Sequence, residues 1–271
     1  MQVRKSLLFG LASLVCWAGA AGVGYHALGN LRAGATGAPP KTARVVHEPS
    51  QNAATPTPTA TPIPASLSIQ GVPFTIQAPF QNWDQAHEEY CEAAAVYMVG
   101  QYWSNDHRQQ LPPAEADATM GRIVAWERST FPGQVNLSLS EMLQVGEHFY
   151  ASDNLTAQVV PLDFTVIQQS LAAGRPVIIP VMTHGGPGGS PIYPTYGSGS
   201  VYHVLVLIGY DTTKGVVYTN DAGLREGMGL AYPWTTLESA VNAQAHATTD
   251  AAGASVPAQQ GPTMLIFHPG T

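Results

Sequence analysis

Residues 33–66 decide how much of this chain is able to fold. The stretch is polar and rich in proline and threonine, ending in Thr55-Pro56-Thr57-Pro58-Thr59-Ala60-Thr61-Pro62-Ile63-Pro64. Such a sequence has no apolar face to bury, and its repeated prolines favour extended polyproline conformations. It reads as a semi-rigid linker over residues 31–66. What remains, residues 67–271, is enough for one well-packed domain.

Ahead of the linker, Arg4 and Lys5 precede 25 residues, Ser6 to Asn30, without a charged side chain. An apolar run from Leu7 to Trp17 is followed by the small residues Ala18, Gly19, Ala20 and Ala21. A positive flank, an apolar run and a small-residue site fit an export signal. The uncharged length also suffices for a membrane anchor over residues 6–29, since a spanning helix needs about 20 residues. Residues 1–30 are therefore expected to be a signal or an anchor. The domain is expected to be extracellular, tethered through the linker or secreted after cleavage. Cys16 follows Val15 rather than a small residue, which disfavours lipid attachment there.

The linker divides the charge as well. Residues 1–66 carry a net +4 and residues 67–271 a net −11, within an overall −7. An acidic domain is poorly suited to phosphate backbones, so nucleic acid is not an expected partner.

Within the domain, apolar spacing predicts helices over 88–103, 113–128, 139–150 and 164–173, and one more from Thr235. Ser138 and Glu141 have the spacing of a capping box, Asp163 stands at an N-cap position and Gly174 at a stop. Val72–Ile76 reads as extended. Pro176–Met182 and Val201–Tyr210 are continuous apolar runs, which is the pattern of strands covered on both faces. Residues 215–220 return as a hairpin partner and Met264–Phe267 closes the sheet. Helices first and strands after is the α+β order.

Cys91 is the one cysteine of the domain. Two cysteines in the whole chain exclude a disulfide framework. At a helix start, free N–H groups and the dipole would favour the thiolate, which is the nucleophile. On residue type alone Cys91 stands equally well as an inert buried thiol. His203 lies in an apolar strand, where an imidazole without a partner is costly. The 213–215 turn brings Asp221 within two residues of a position opposite it, so a Cys91–His203–Asp221 arrangement is open, as is a structural His–Asp pair. Gln77 reads, by itself, as a polar residue after an extended segment. His87, His107, His184 and His203 lack metal-ligand spacing. The glycine-rich 184–190 segment lacks the Gly-Lys-Ser/Thr ending of a phosphate loop.

Several motifs, however, resemble one family in order. Val72-Pro73-Phe74-Thr75-Ile76-Gln77-Ala78-Pro79-Phe80, Trp83-Asp84 and Cys91-Glu92-Ala93-Ala94 come first. Leu171-Ala172-Ala173-Gly174-Arg175-Pro176-Val177, His203 to Asp211 and Asn220-Asp221-Ala222-Gly223 follow. Together they resemble the bacteriocin-processing-like cysteine peptidases (peptidase family C-thirty-nine and its relatives) across residues 72–240. The resemblance implies a papain-like fold, a helical amino-terminal half packed on an antiparallel sheet. It implies Cys91 as nucleophile, His203 as base, Asp221 as orienting carboxylate and Gln77 as oxyanion donor. That chemistry acts on a peptide or protein and needs no cofactor or metal. Two positions depart: Glu92 where many relatives have Gly, and Ala222 where many have Pro. A charge at Glu92 is expected to raise the thiol's pKa or to shape specificity. Two rivals remain, an amidase or transpeptidase on cell-wall peptides and a non-catalytic stalked binding domain. Oligomeric state is left open.

Overall fold

The computed structural model describes residues 62–185, 189–197 and 199–270. The expected signal or anchor and most of the linker lie outside the described residues. No helix among the described residues is long and apolar enough to cross a membrane. Pro64 and Ala65, counted above with the linker, already belong to the folded region. Their carbonyls accept hydrogen bonds from Tyr210 Oη at 2.7 Å and from Thr212.

In chain order the elements are β1 (Ser66–Ser68), α1 (Cys91–Trp103), α2 (Pro113–Thr130), α3 (Leu139–Phe149), β2 (Leu155–Pro161) and α4 (Phe164–Ala172). They continue with β3 (Val177–Met182), β4 (Tyr202–Asp211), β5 (Val216–Asn220), β6 (Leu230–Pro233), α5 (Trp234–His246) and β7 (Thr263–Pro269). The capping box forms as the spacing predicts: Ser138 N–H donates to Glu141 Oε2 at 2.7 Å, and Glu141 N–H donates back to Ser138 Oγ. Asp163 Oδ1 accepts from Val166 N–H at 3.0 Å and opens α4. Pro113 sits at the first turn of α2, where its missing N–H leaves nothing unpaired.

The described strands make one antiparallel sheet in the order β2-β7-β3-β4-β5-β6, with β1 added to β4. Every residue of β4 is buried, as its continuous apolar run requires. Val204, Val206 and Ile208 face a core built with α1, α2 and α3. Leu205 and Leu207 face a second core completed by α4 and α5. The α+β class and the helical amino-terminal half against an antiparallel sheet thus agree with expectation.

Three strands and the start of one helix differ from the sequence reading. β2 and β6 were not expected, nor was β1. β2 is a sheet edge whose middle residues, Gln158 and Val159, are exposed, so no alternation marks it. α1 begins at Cys91 rather than at residue 88, because residues 87–89 form a separate 3-10 turn.

α1 is buried through its first ten residues, Cys91 to Gly100. Its alanine-rich sequence combines high helix propensity with close approach to neighbours. Gly100 marks the tightest point: a Cβ there would lie 2.0 Å from the ring of Tyr150, which is itself buried. Gly100→Ala gains up to about 1 kcal/mol of helix propensity but overpacks the core at about 1–3 kcal/mol or more. The expected outcome in urea unfolding is a lower midpoint at unchanged slope. A variant as stable as the parent would show that α1 packs more loosely on Tyr150 than described.

Candidate active site

The approach to Cys91 is held by side chains before the helix begins. Asp84 Oδ1 accepts from the N–H groups of Ala86 and His87, both at 3.1 Å, and from His87 Nδ1 at 2.7 Å. His87 Nε2 reaches Asp117 Oδ1 on α2 at 2.9 Å. Burial works to lower the His87 pKa, yet the two carboxylates outweigh it and the direction is upward. Gln77 Nε2 donates to the carbonyls of His87 and Glu88, both at 2.9 Å, and Gln77 N–H donates to Ala222 O. Gln77 therefore braces the turn before Cys91 against the segment after Asp221. Both amide hydrogens are used in this way, so the amide is not aimed at a bound substrate's oxygen in this conformation.

Cys91 opens α1, and the backbone N–H of Val204 on β4 acts to lower its thiol pKa. Pairing of β4 with β5 ends at the Val206–Asn220 rung, which leaves the start of β4 free of a β5 partner on that side. The thiol's own proton is donated to Glu92 Oε2 at 2.9 Å. Glu92 is buried, and its other oxygen accepts from Leu137 N–H at 2.9 Å. Tyr202 Oη on β4 in turn donates to Leu137 O at 2.8 Å. The loop between α2 and α3 is thereby wired to both α1 and the strand that carries His203.

The helix-start argument for a thiolate does not hold here. Burial raises the Cys91 pKa well above the ordinary thiol value, and the charge and hydrogen bond of Glu92 and the charge of Glu89 add to it. A dipole effect of about 0.3–1 kcal/mol cannot offset full desolvation beside a carboxylate. Burial also raises the Glu92 carboxyl, although the bonds from Cys91 and Leu137 and the charge of His203 pull the other way.

His203 and Asp221 meet as the hairpin register predicts. His203 Nε2 is 2.8 Å from Asp221 Oδ1, and both side chains are buried. A carboxylate only accepts, so Nε2 carries the proton and Nδ1 is the nitrogen free to receive one. Asp221 has further donors: Tyr196 Oη at 2.8 Å, Gly223 N–H at 2.9 Å and Tyr232 Oη at 2.5 Å. Burial alone would raise its carboxyl, but the His203 charge and hydrogen bond, with the hydrogen bonds from Tyr232 and Tyr196, bring it below the ordinary value. Gly223 is required by close approach: a Cβ there would lie 2.7 Å from Tyr196 Oη and 2.9 Å from His203 Cε1.

The four sequence-predicted residues thus fall in one region, joined in two separate sets. Asp221 and His203 bond directly, while Cys91 bonds Glu92 rather than His203. Tyr196 and Tyr232 were not anticipated. Nothing in the sequence marks Tyr196, which comes from the long loop before β4, and Tyr232 depends on the unexpected β6. Among the described residues no group of three or more His, Cys, Asp or Glu is placed to hold a metal ion.

Comparison with known proteins bears on this arrangement. The profile of the Peptidase_C39 like family matches residues 69–247. A crystal structure of a C39-like peptidase from Bacillus anthracis is similar at 18% identity and a TM-score of 0.45, over 75% of this chain and 97% of that one. No curated protein matches the chain. The family match takes in Cys91, Glu92, His203 and Asp221 together, and on its extent the chain belongs to the Peptidase C39-like family.

Proposed function

We propose that the chain is an exported cysteine peptidase that cleaves peptide or amide bonds through Cys91, His203 and Asp221. The observation that carries this reading is the buried His203–Asp221 pair, whose 2.8 Å bond holds the imidazole Nε2, on a chain whose family match also takes in Cys91. For reaction the thiol turns from Glu92 and passes its proton to His203 Nδ1. The sulphur then attacks the substrate carbonyl carbon, forming a C–S bond. His203 returns the proton to the leaving amine as the C–N bond breaks, and water hydrolyses the thioester with His203 again as base. Asp221 holds the tautomer and stabilises the imidazolium. A backbone N–H beside the sulphur, such as that of Val204, is suited to stabilise the oxyanion. Gln77 takes part in that site only if its amide leaves the His87 and Glu88 carbonyls. Export rests on residues 1–30, with the anchored and the cleaved forms both placing the domain outside the cell.

The test is direct. The full-length chain is incubated with a mixed peptide library and new termini are read by mass spectrometry. Cleavage is expected to fall by at least about 10³-fold in Cys91→Ala and to a similar extent in His203→Ala, because such groups act as a unit. Cleavage that persists in Cys91→Ala would sink the proposal.

One observation favours a second reading, a binding domain without catalysis: the thiol's partner is Glu92, not His203. The two readings part at Glu92→Gln. The Glu92 charge raises the thiol pKa, so removing it moves the pH profile of Cys91 alkylation to lower pH, with labelling at pH 6 several-fold faster. A catalytic thiol restrained by Glu92 also keeps peptide cleavage in this variant and shifts its acid limb the same way. Faster alkylation with no cleavage at any pH supports the binding domain.

A further inference from the structure

A second buried carboxylate, Glu127 on α2, has no part in the chemistry above. Only 8% of the residue is exposed, and its Oε1 is buried without a hydrogen-bond partner. No ion pair among the described residues involves it. A buried carboxyl left this way is unusual, since such groups are normally paired. It lines a cavity of about 290 Å³ together with Ala86, Glu89, Val124, Arg128 and Leu137.

The cavity adjoins the nucleophile through shared residues. Glu89 lies two positions before Cys91, and Leu137 is the residue whose N–H holds Glu92. Its size is below that of sites for whole drug-like molecules, roughly 300–1,000 Å³, and suits one side chain. Its walls are of two kinds. Ala86, Val124 and Leu137 offer apolar surface, while Glu89 and Glu127 offer carboxyls. An aliphatic stem ending in a positive charge matches both. Arg128 also lines the cavity and its charge acts on both carboxyls, but among the described residues it forms no ion pair with either.

We propose that this cavity receives a lysine or arginine side chain of the substrate, on the acyl side of the bond attacked by Cys91, and that Glu127 determines that specificity. The proposal rests on the peptidase reading given above. The cavity touches both Glu127 and Glu89, so an incoming cation would meet two acidic residues. The proposal also fits the charge of the domain, since a net −11 over residues 67–271 draws basic peptides in at long range.

The protonation of Glu127 sets a second, independent signature. Burial and the charge of Glu92 push its carboxyl up to about 8, against the opposing pull of Arg128. Glu89 is raised by burial and by Glu92, Asp250 and Glu88, with Arg128 again opposing. Below about pH 8 the empty cavity therefore holds a protonated Glu127, and a cation is received better as that proton leaves. A lysine side chain stays charged to about pH 10, so preference for it grows from pH 6 to pH 9.

The experiment uses the full-length chain and irreversible peptidyl ketone probes that alkylate the active thiol. Three probes carry lysine, norleucine or glutamate at one of the two positions before the reactive carbonyl. Second-order rates of Cys91 modification are read by intact mass. At one position the lysine probe is expected to react at least about tenfold faster than its norleucine counterpart, a ratio reduced to within about twofold in Glu127→Gln. In the parent protein the same ratio rises between pH 6 and pH 9, and thiol ionisation cancels from it. Equal rates for lysine and norleucine at both positions overturn the subsite while leaving the peptidase reading intact. A lysine preference that survives Glu127→Gln overturns the assignment to Glu127. Failure of every probe to modify Cys91 overturns both readings.

Discussion

Asp221 is a fully buried negative charge, and the end of the sheet is organised around keeping it there. An ion without partners in such a place costs several kcal/mol, more than most single contacts return. Its donors come from four separate segments: Tyr196 from the loop before β4, His203 from β4, Gly223 from the turn after β5 and Tyr232 from β6. No two of these are neighbours in sequence, so the carboxylate is satisfied only when loop, hairpin and edge strand are all in place. The same four bonds fix the His203 tautomer.

The Cys91 side of the site is organised by a different carboxyl. Glu92 ties Cys91 to Leu137, and Leu137 is tied through its carbonyl to Tyr202 on β4. A chain of hydrogen bonds therefore runs from the thiol to the α2–α3 loop and back to the residue preceding His203. By strand alternation His203 shares the face of Leu205 and Leu207, whereas Tyr202 and Val204 face α1. Cys91 on α1 meets the Val204 face of β4, whereas His203 projects from the opposite face near the start of the strand, where β5 no longer covers it.

Much of this was legible in the residues and some was not, for physical reasons. Short-range signals carried through: the Ser138–Glu141 box, the Asp163 cap and the unbroken apolar run of β4 each depend on a few adjacent positions. The His203–Asp221 pairing was legible because a tight turn fixes register. β2 and β6 escaped notice because edge strands need bury only one end or one face, and Gln158 and Val159 carry no alternation. The thiolate expectation failed at Cys91 because it weighed the helix terminus, a local property, without the burial that only the assembled core supplies. Tyr196 and Tyr232 were invisible for the same reason: nothing local marks a hydroxyl that will meet a carboxylate 25 or 11 residues away.

Three buried carboxyls in one small region allow a comparison that separates burial from pairing. Asp221 has four donor groups, and its pKa lies below the ordinary value despite complete burial. Glu92 has two, a thiol and a backbone N–H, and burial prevails. Glu127 has none among the described residues, and burial with the charge of Glu92 pushes it up to about 8. Desolvation acts on all three, so whether a carboxyl lies below or above its ordinary value follows the donors it meets. A carboxyl with every lone pair engaged is a fixture of the fold. One with a single exchangeable partner, as Glu92 has in the thiol, restrains whatever it holds. One with none retains its capacity for a partner, and Glu127 lines a cavity whose wall includes Glu89, two residues before Cys91.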